Sequence, residues 1–454
     1  MSAPLSVRPT LARAIARWSH AVDAATLDDA AVDKARLCLA DMIGIAAAAN
    51  DLPWSRQAAQ YAAAMGGNRA TLIGQAARAS AAEAAFANAA AAHGLVQEDM
   101  HTASVSHVGV VVWPTLLALA ELQRATGRAF LAAGVVGYQV MARLGRALIT
   151  REVAQKFRPT GLLGAVGAAA AGARLLRLSE DETVNALALA ANTAAGLNEW
   201  PRSGGGEMFF HPAFAARNAV TVVLLARAGA DAAESALDGP GGLFAAYGGA
   251  VVPPAVDLGG NWEILAAYHK PVPACNYAQT PAQAALAVRG AHSFAARDIE
   301  HVVVKSFPEA IAYPGCNHAG PYRTLLQAKM SIQFSVAAVL VHGRLDDEVF
   351  RDFAAHGEVA RLARHVRLEE DDELARGYPQ RQGAEVIVSL RTGRTARRRL
   401  AELEPLGPEA VRDRARAALA RLLGDARAAE IEREIDALTA STDTARLARL
   451  LARD

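Results

Sequence analysis

The chain has only three cysteines in 454 residues, no excess of charge of either sign, and 6% aromatic residues. Cys38, Cys275 and Cys316 form an odd, widely spaced set, which excludes a disulfide framework and lacks the clustering of an iron–sulfur or structural zinc site. A reducing compartment fits, and spacing predicts no metal. Lys+Arg 47 against Asp+Glu 46 leaves a formal charge of +1, so no global field draws nucleic acid or an anionic membrane surface. Although 52% of residues are hydrophobic, much of that is alanine, and no window of about 18 residues reads as apolar and uncharged enough to span lipid. The run MSAPLSVRPTLARAIARW has no apolar stretch followed by a small-residue cleavage site; it reads as an amphipathic helix, and a cytoplasmic protein is expected.

What is present is length and helical periodicity. Single cores stop growing at about 250 to 300 residues, so two or more domains are expected. From Leu11 to about Arg227 the pattern is helical, with Ala-rich stretches such as AAEAAFANAAAAHGL and LLGAVGAAAAGARLL. No strand precedes the Gly161, Gly164, Gly167 run, so it reads as close helix packing rather than a nucleotide-binding loop. Turn residues then dominate (DGPGG at 238–242, YGG at 247–249, VVPP at 251–254) and mark a change of organisation. Beyond them IEHVVVKSF and AEVIVSL read as strands and TLLQAKMSIQFSVAAVLVHG as one long helix, an α+β rather than a βαβ pattern. An Arg391–Arg394 turn predicts a hairpin, and amphipathic helices after Pro408 are expected to return to the first domain.

Against this background, LVQEDMHTASVSHVGVVVWP at 95–114 concentrates Glu98, Asp99, His101, Thr102, Ser104, Ser106 and His107. His101 and His107 are six apart, about 120° from each other on one helix, so converging on one substrate requires a loop. A solvated loop with capping histidines is the alternative.

The flanking text carries a resemblance. NAAAAHGLVQEDMHTASVSHVGVVVWPTLLALAEL, GYQVMARLGRAL, FRPTGLLGAVGAAAAGARLLRLS, FFHPAFAARNAVTVVLLARAGA and AYHKPVPACNYAQTPAQAAL resemble, in order, blocks of the MmgE/PrpD superfamily. The resemblance implies a mainly α fold: a large all-helical domain from residues 1–266 and 405–454, with an α+β lid inserted at 267–404. It also implies cofactor-free lyases and isomerases of di- and tricarboxylic acids, usually homodimers, among them 2-methylcitrate dehydratase, cis-aconitate decarboxylase and iminodisuccinate epimerase. All three reactions share a carbanion-like centre beside a carboxylate. A hydro-lyase is the leading expectation, an epimerase or decarboxylase the alternatives, and a non-catalytic ligand-binding homologue the reading from another class.

Such chemistry needs proton carriers, for which histidine suits, and cations for the carboxylates, for which Arg and Lys suit. By similarity Asp99, His101, His107 and Lys270 are the expected catalytic set, with Asp99 orienting a histidine. Arg158, Thr160, Arg202, His211, Cys275, Tyr277, Tyr313 and His318 are the expected substrate-binding groups. Three departures stand out. Arg158 replaces the histidine of a Phe-His-Pro element and cannot act as a base. Met208 stands before His211 where decarboxylase-like relatives carry a lysine. Cys275 replaces the histidine of a Lys-x-x-Pro-x-His run, either as a thiol acid/base or as a small buried residue. His93, in an Ala-rich helix, reads as a packed core histidine.

Overall fold

The computed structural model describes residues 9–249, 256–355 and 357–453; the VVPP element expected as a turn lies outside them. The fold is mainly α. Helices begin where the sequence supplies caps: Thr10, Ser80 and Thr126 accept from backbone N–H groups three residues on, Ser179 forms a capping box with Glu182, and Pro53, Pro159 and Pro408 open helices without wasting an N–H.

Gly109–Leu122, Pro159–Leu175 and most of Gly127–Leu148 are buried in one hydrophobic core, which small residues make possible. A Cβ on Gly164 would stand 3.0 Å from that of Ala215, and one on Gly167 2.5 Å from that of Met141, so the glycine run sets the approach of neighbouring helices. Outer helices are amphipathic. Leu11–Ala21 buries Ala12, Ile15, Ala16 and Ser19, and Pro408–Leu423 buries Val411, Ala415, Ala418 and Leu419. Leu419, Ile431, Ile435, Leu438 and Leu447 belong to this same first core, so the C-terminal helices pack on the N-terminal ones.

The 11–227 region is not wholly helical. Between Gly67 and Ser80 it forms a two-stranded antiparallel ribbon, β1 (Ala70–Thr71) and β2 (Arg78–Ala79), turned by Gly74 at φ +71. By length and composition Glu207–Arg227 is apolar enough for a membrane span, though the charged Arg217 falls in its middle. In the molecule 61% of that window is buried, as in a core helix.

A second core is built on a four-stranded sheet of order β4-β3-β5-β6, with β3 Ile299–Ser306, β4 Val366–Glu370, β5 Ala384–Leu390 and β6 Thr395–Leu400. The expected hairpin joins β5 to β6 in register Ser389↔Thr395, with Gly393 at φ +82. β4 was not expected, and it runs parallel to β3 (Val302↔Val366) after a helical crossover, so one connection is βαβ-like after all. Its VRLEE sequence gave little signal because this edge strand is mostly exposed. The expected long helix at 324–343 is two helices, Leu325–Met330 and Ile332–His342, because Ser331 is extended and its Oγ caps the second by accepting from Phe334 N at 2.8 Å. The break leaves Lys329 O to accept from Cys275 N at 2.9 Å.

Val96, Trp200, Met208 and Phe209 come from the first segment yet pack in the second core. The two cores are joined there, and the joint includes an antiparallel bridge between Met100 and Tyr268.

Candidate active site

The Ala81–Ala92 helix ends at His93, and the chain turns through Val96 at φ 59 into the polar segment. His101 and Ser106 bridge across a short 3-10 turn at Thr102–Ser104, closed by Val105 at φ 51, and the next helix starts at Gly109. The loop that two converging histidines required is present, but it sends them apart. His101 Nε2 meets Glu263 at 2.8 Å and Nδ1 meets Ser104 Oγ at 2.8 Å, on a pocket lined by Arg146, Tyr268 and Gln382. His107 lines a different cavity with Arg158, Thr160, Cys275, Tyr277 and Tyr313.

The partner of His107 is Glu98, not Asp99. Glu98 is 1% exposed, and its Oε1 lies 2.6 Å from His93 Nδ1 and 3.0 Å from His107 Nδ1. Burial alone would raise this carboxyl, but His93, Lys270 and His107 outweigh it and hold Glu98 well below the usual carboxylate range. Arg158 donates from Nη2 to His93 Nε2 at 2.7 Å; a guanidinium only donates, so His93 Nε2 is the acceptor and Nδ1 carries the proton given to Glu98. His107 Nδ1 faces two acceptors, Glu98 Oε1 and Asp99 O at 3.2 Å, which places its proton there and leaves the Nε2 lone pair available. Burial, reinforced by Lys270, pushes the imidazole down to about 3.

Asp99 performs another task. Oδ1 accepts from Gly109 N at 3.2 Å and Oδ2 from the Tyr138 hydroxyl, so it caps the Gly109–Leu122 helix; burial raises its pKa. Thr160 Oγ1 accepts from His107 N at 3.0 Å and fixes the backbone from the other side.

Lys270 is 0% exposed, far from the solvent-facing lysine that a proline turn allows, and its Nζ donates to Val96 O at 2.6 Å. Burial lowers its pKa while Glu98 opposes the shift, so the ammonium sits in the same electrostatic cluster as His107 and Arg158. Tyr313, pushed up to about 12 by burial, remains a phenol. His93, Glu98 and His107 each offer an atom within a mutual 4.8 Å, the spacing of a metal site. Those atoms are already paired as donors and acceptor, and the neighbouring charges of Arg158 and Lys270 oppose a further cation.

Three expected binding residues lie apart from this cavity. Arg202 has an 82% exposed side chain paired with Glu199 because its short helix faces solvent. His211, pushed down to about 3 by burial and then by Arg158, stands behind that arginine at the start of its own helix. His318 packs edge-on against Tyr322 at 5.2 Å, so its loop contributes Tyr313 to the cavity instead. Met208, in place of a lysine, puts its Sδ 3.1 Å from His93 Nε2. Sequence reasoning missed Glu98 and His93 as members of the cluster; their i, i+5 spacing across a helix end was the available signal.

Among known proteins, the family description of the MmgE/PrpD N-terminal domain matches residues 13–253 and that of the C-terminal domain residues 272–439. A cis-aconitate decarboxylase of Aspergillus terreus is 23% identical over 99% of this chain and 97% of its own length. A cis-aconitate decarboxylase-like protein of Aspergillus oryzae is 32% identical over 44% of this chain, the match spanning 43% of that protein. A human cis-aconitate decarboxylase is 29% identical over 52% of this chain and 50% of its own length. With both domain descriptions matched in order, the chain belongs to the MmgE/PrpD family.

Proposed function

We propose that this protein is a cofactor-independent lyase acting on a di- or tricarboxylic acid, and that its first step removes a proton from the carbon beside a carboxylate. The observation that carries this is the Glu98–His107 pair, in which a buried carboxylate holds a neutral imidazole by Nδ1 and leaves Nε2 as a base on the cavity wall. Arg158 on the cavity wall supplies positive charge for the substrate carboxylate, and Lys270, fully buried and outside the lining, adds its field to the charge that develops on it. The electron pair left on carbon then expels a β-hydroxyl, which takes a proton and leaves as water; Tyr313, still protonated, is the donor at hand. Residues 267–404 act as the lid and contribute Cys275, Tyr277 and Tyr313, while 1–266 and 405–454 form the body of a homodimer subunit.

A second reading, decarboxylation, is favoured by the name of the Aspergillus terreus relative that spans the chain. It uses the same cations but ends with protonation at carbon. Incubating citrate-like and succinate-like acids in deuterium oxide and following them by NMR separates these outcomes. An unsaturated product with loss of water supports the first reading; released carbon dioxide supports the second; deuterium at Cα without other change indicates epimerisation. Replacing His107 with Ala is expected to lower turnover by about 10²- to 10⁴-fold with little change in thermal unfolding. A fully active H107A enzyme overturns the assignment.

A further inference from the structure

Cys275 and Cys316 are both free thiols, and their sulfur atoms lie 3.5 Å apart. Their backbones are fixed by one short stretch of chain: Cys275 N donates to Lys329 O at 2.9 Å, and Cys316 O accepts from Ile332 N at 3.0 Å. The break at Ser331 thus holds both cysteines in register. Cys275 lines the cavity and is 5% exposed, while Cys316 is 0% exposed and outside the lining. Cys38, the third thiol, sits elsewhere, 4.0 Å from His269 Nε2.

We propose that Cys275 and Cys316 form an oxidisable dithiol, a modification site in the cavity wall at which a peroxide closes a disulfide. A disulfide needs its sulfurs about 2.0 Å apart, a short closure from the observed contact. Reactivity is directed to Cys275: the hydrogen bond from Cys316, with that from the Tyr277 backbone and the charges of Lys270 and Arg158, outweighs burial and favours its thiolate, whereas burial keeps Cys316 protonated. The Cys275 sulfur attacks one peroxide oxygen and the O–O bond breaks. Cys275 becomes a sulfenic acid, and the departing hydroxide takes the thiol proton as water. The Cys316 sulfur then attacks that of Cys275, the S–O bond breaks, and a second water leaves. Two thiols are oxidised by two electrons, and one hydrogen peroxide is reduced to two waters.

The bond takes the Cys275 thiol out of the cavity wall that it shares with Tyr277 and Tyr313. Oxidation is therefore expected to lower activity. This consequence rests on the lyase reading; the chemistry does not.

The experiment treats the full chain with hydrogen peroxide under native conditions, then measures intact mass and thiols after denaturation. The wild type is expected to lose about 2 Da and fall from three titratable thiols to one, both changes reversed by dithiothreitol. Cys316→Ser is expected to gain oxygen at Cys275 instead of losing mass. Cys38→Ser is expected to lose two thiols and keep none, which tests the pairing even if the Cys316 variant folds poorly. Three surviving thiols in the wild type, addition of oxygen without the mass loss, or a disulfide that involves Cys38 overturns the proposal. Where a substrate turns over, activity falls and returns in step with the thiols. A disulfide that forms in a protein inert towards every acid tested leaves the dithiol standing and counts against the lyase reading alone.

Discussion

Glu98 and Asp99 are neighbours in the chain and both almost fully buried, but they face different company. Glu98 meets two imidazoles and the field of a lysine; Asp99 meets a helix N-terminus and a phenol. Their replacements are expected to separate accordingly. Glu98→Gln removes the charge that holds His107 and is expected to cost about 10²-fold or more in kcat/KM, with the fold retained. Asp99→Ala strips a helix cap and a tyrosine acceptor and is expected to cost about 1–3 kcal/mol of stability, measured by urea unfolding. Rate loss without destabilisation in the Asp99 variant would reverse the two roles. Because His107 is held down to about 3, its base form persists throughout the mildly acidic range. The acid limb of kcat/KM is expected near 3, and a limb near 6.5 would show that the imidazole is not desolvated. The sequence made this segment visible through its polar density, but adjacent carboxylates are not ranked by composition. Which one meets a histidine depends on the turn at Val96, a left-handed position that nothing in a valine announces.

At the scale of elements, the site is placed by how closely helices approach it. A Cβ on Gly145 would stand 2.4 Å from the Cβ of Ser104, so the Gly127–Leu148 helix lies directly against the 3-10 turn between His101 and His107. Gly145→Ala is expected to push that turn outward and cost about 1–3 kcal/mol, with turnover falling along with the denaturation midpoint. An unchanged midpoint would mean that the turn yields freely. The helices were legible because apolar periodicity and caps agreed, as in Ser179 with Glu182. The break at Ser331 was not, since TLLQAKMSIQFSVAAVLVHG keeps its periodicity through it. It arises from partners far along the chain, Cys275 and His318, whose backbones pair with Lys329 O and Ser331 Oγ. β4 escaped for a related reason: its pairing with β3 is tertiary, and its exposed residues leave no alternation to read.

Across the whole molecule, the C-terminal helices matter through a charge buried under them. Asp41, on the Asp29–Ala48 helix, is 1% exposed and accepts from Arg414 Nη2 at 2.6 Å; His269 Nδ1 lies 3.0 Å away. Arg414 also donates from Nη1 to Lys270 O at 2.9 Å, so one guanidinium ties the N-terminal helix, the C-terminal helix and the cationic residue of the site. Burial alone would raise Asp41; Arg414 and then His269 outweigh it and lower the pKa. Arg414→Met leaves this charge short of its main partner and is expected to cost about 3–5 kcal/mol, read as a fall in the urea midpoint. The dependence on pH has two separable parts. His107 and His211 stay neutral in the folded state down to about 3, while in the unfolded chain they take up protons below about 6.5; stability is therefore lost as pH falls from 6.5 toward 3. Each histidine contributes up to about 1.4 kcal/mol per pH unit in that window. The Asp41 contribution, from a lowered carboxyl, is complete above the unfolded value near 3.9 and is lost only below it. In Arg414→Met burial is no longer outweighed by its main counter-charge and raises the Asp41 carboxyl, so protonation of Asp41 offsets part of the loss and the two curves are expected to draw together as the pH falls from 7 toward 5. A constant offset through that range would show that Asp41 stays ionised without Arg414.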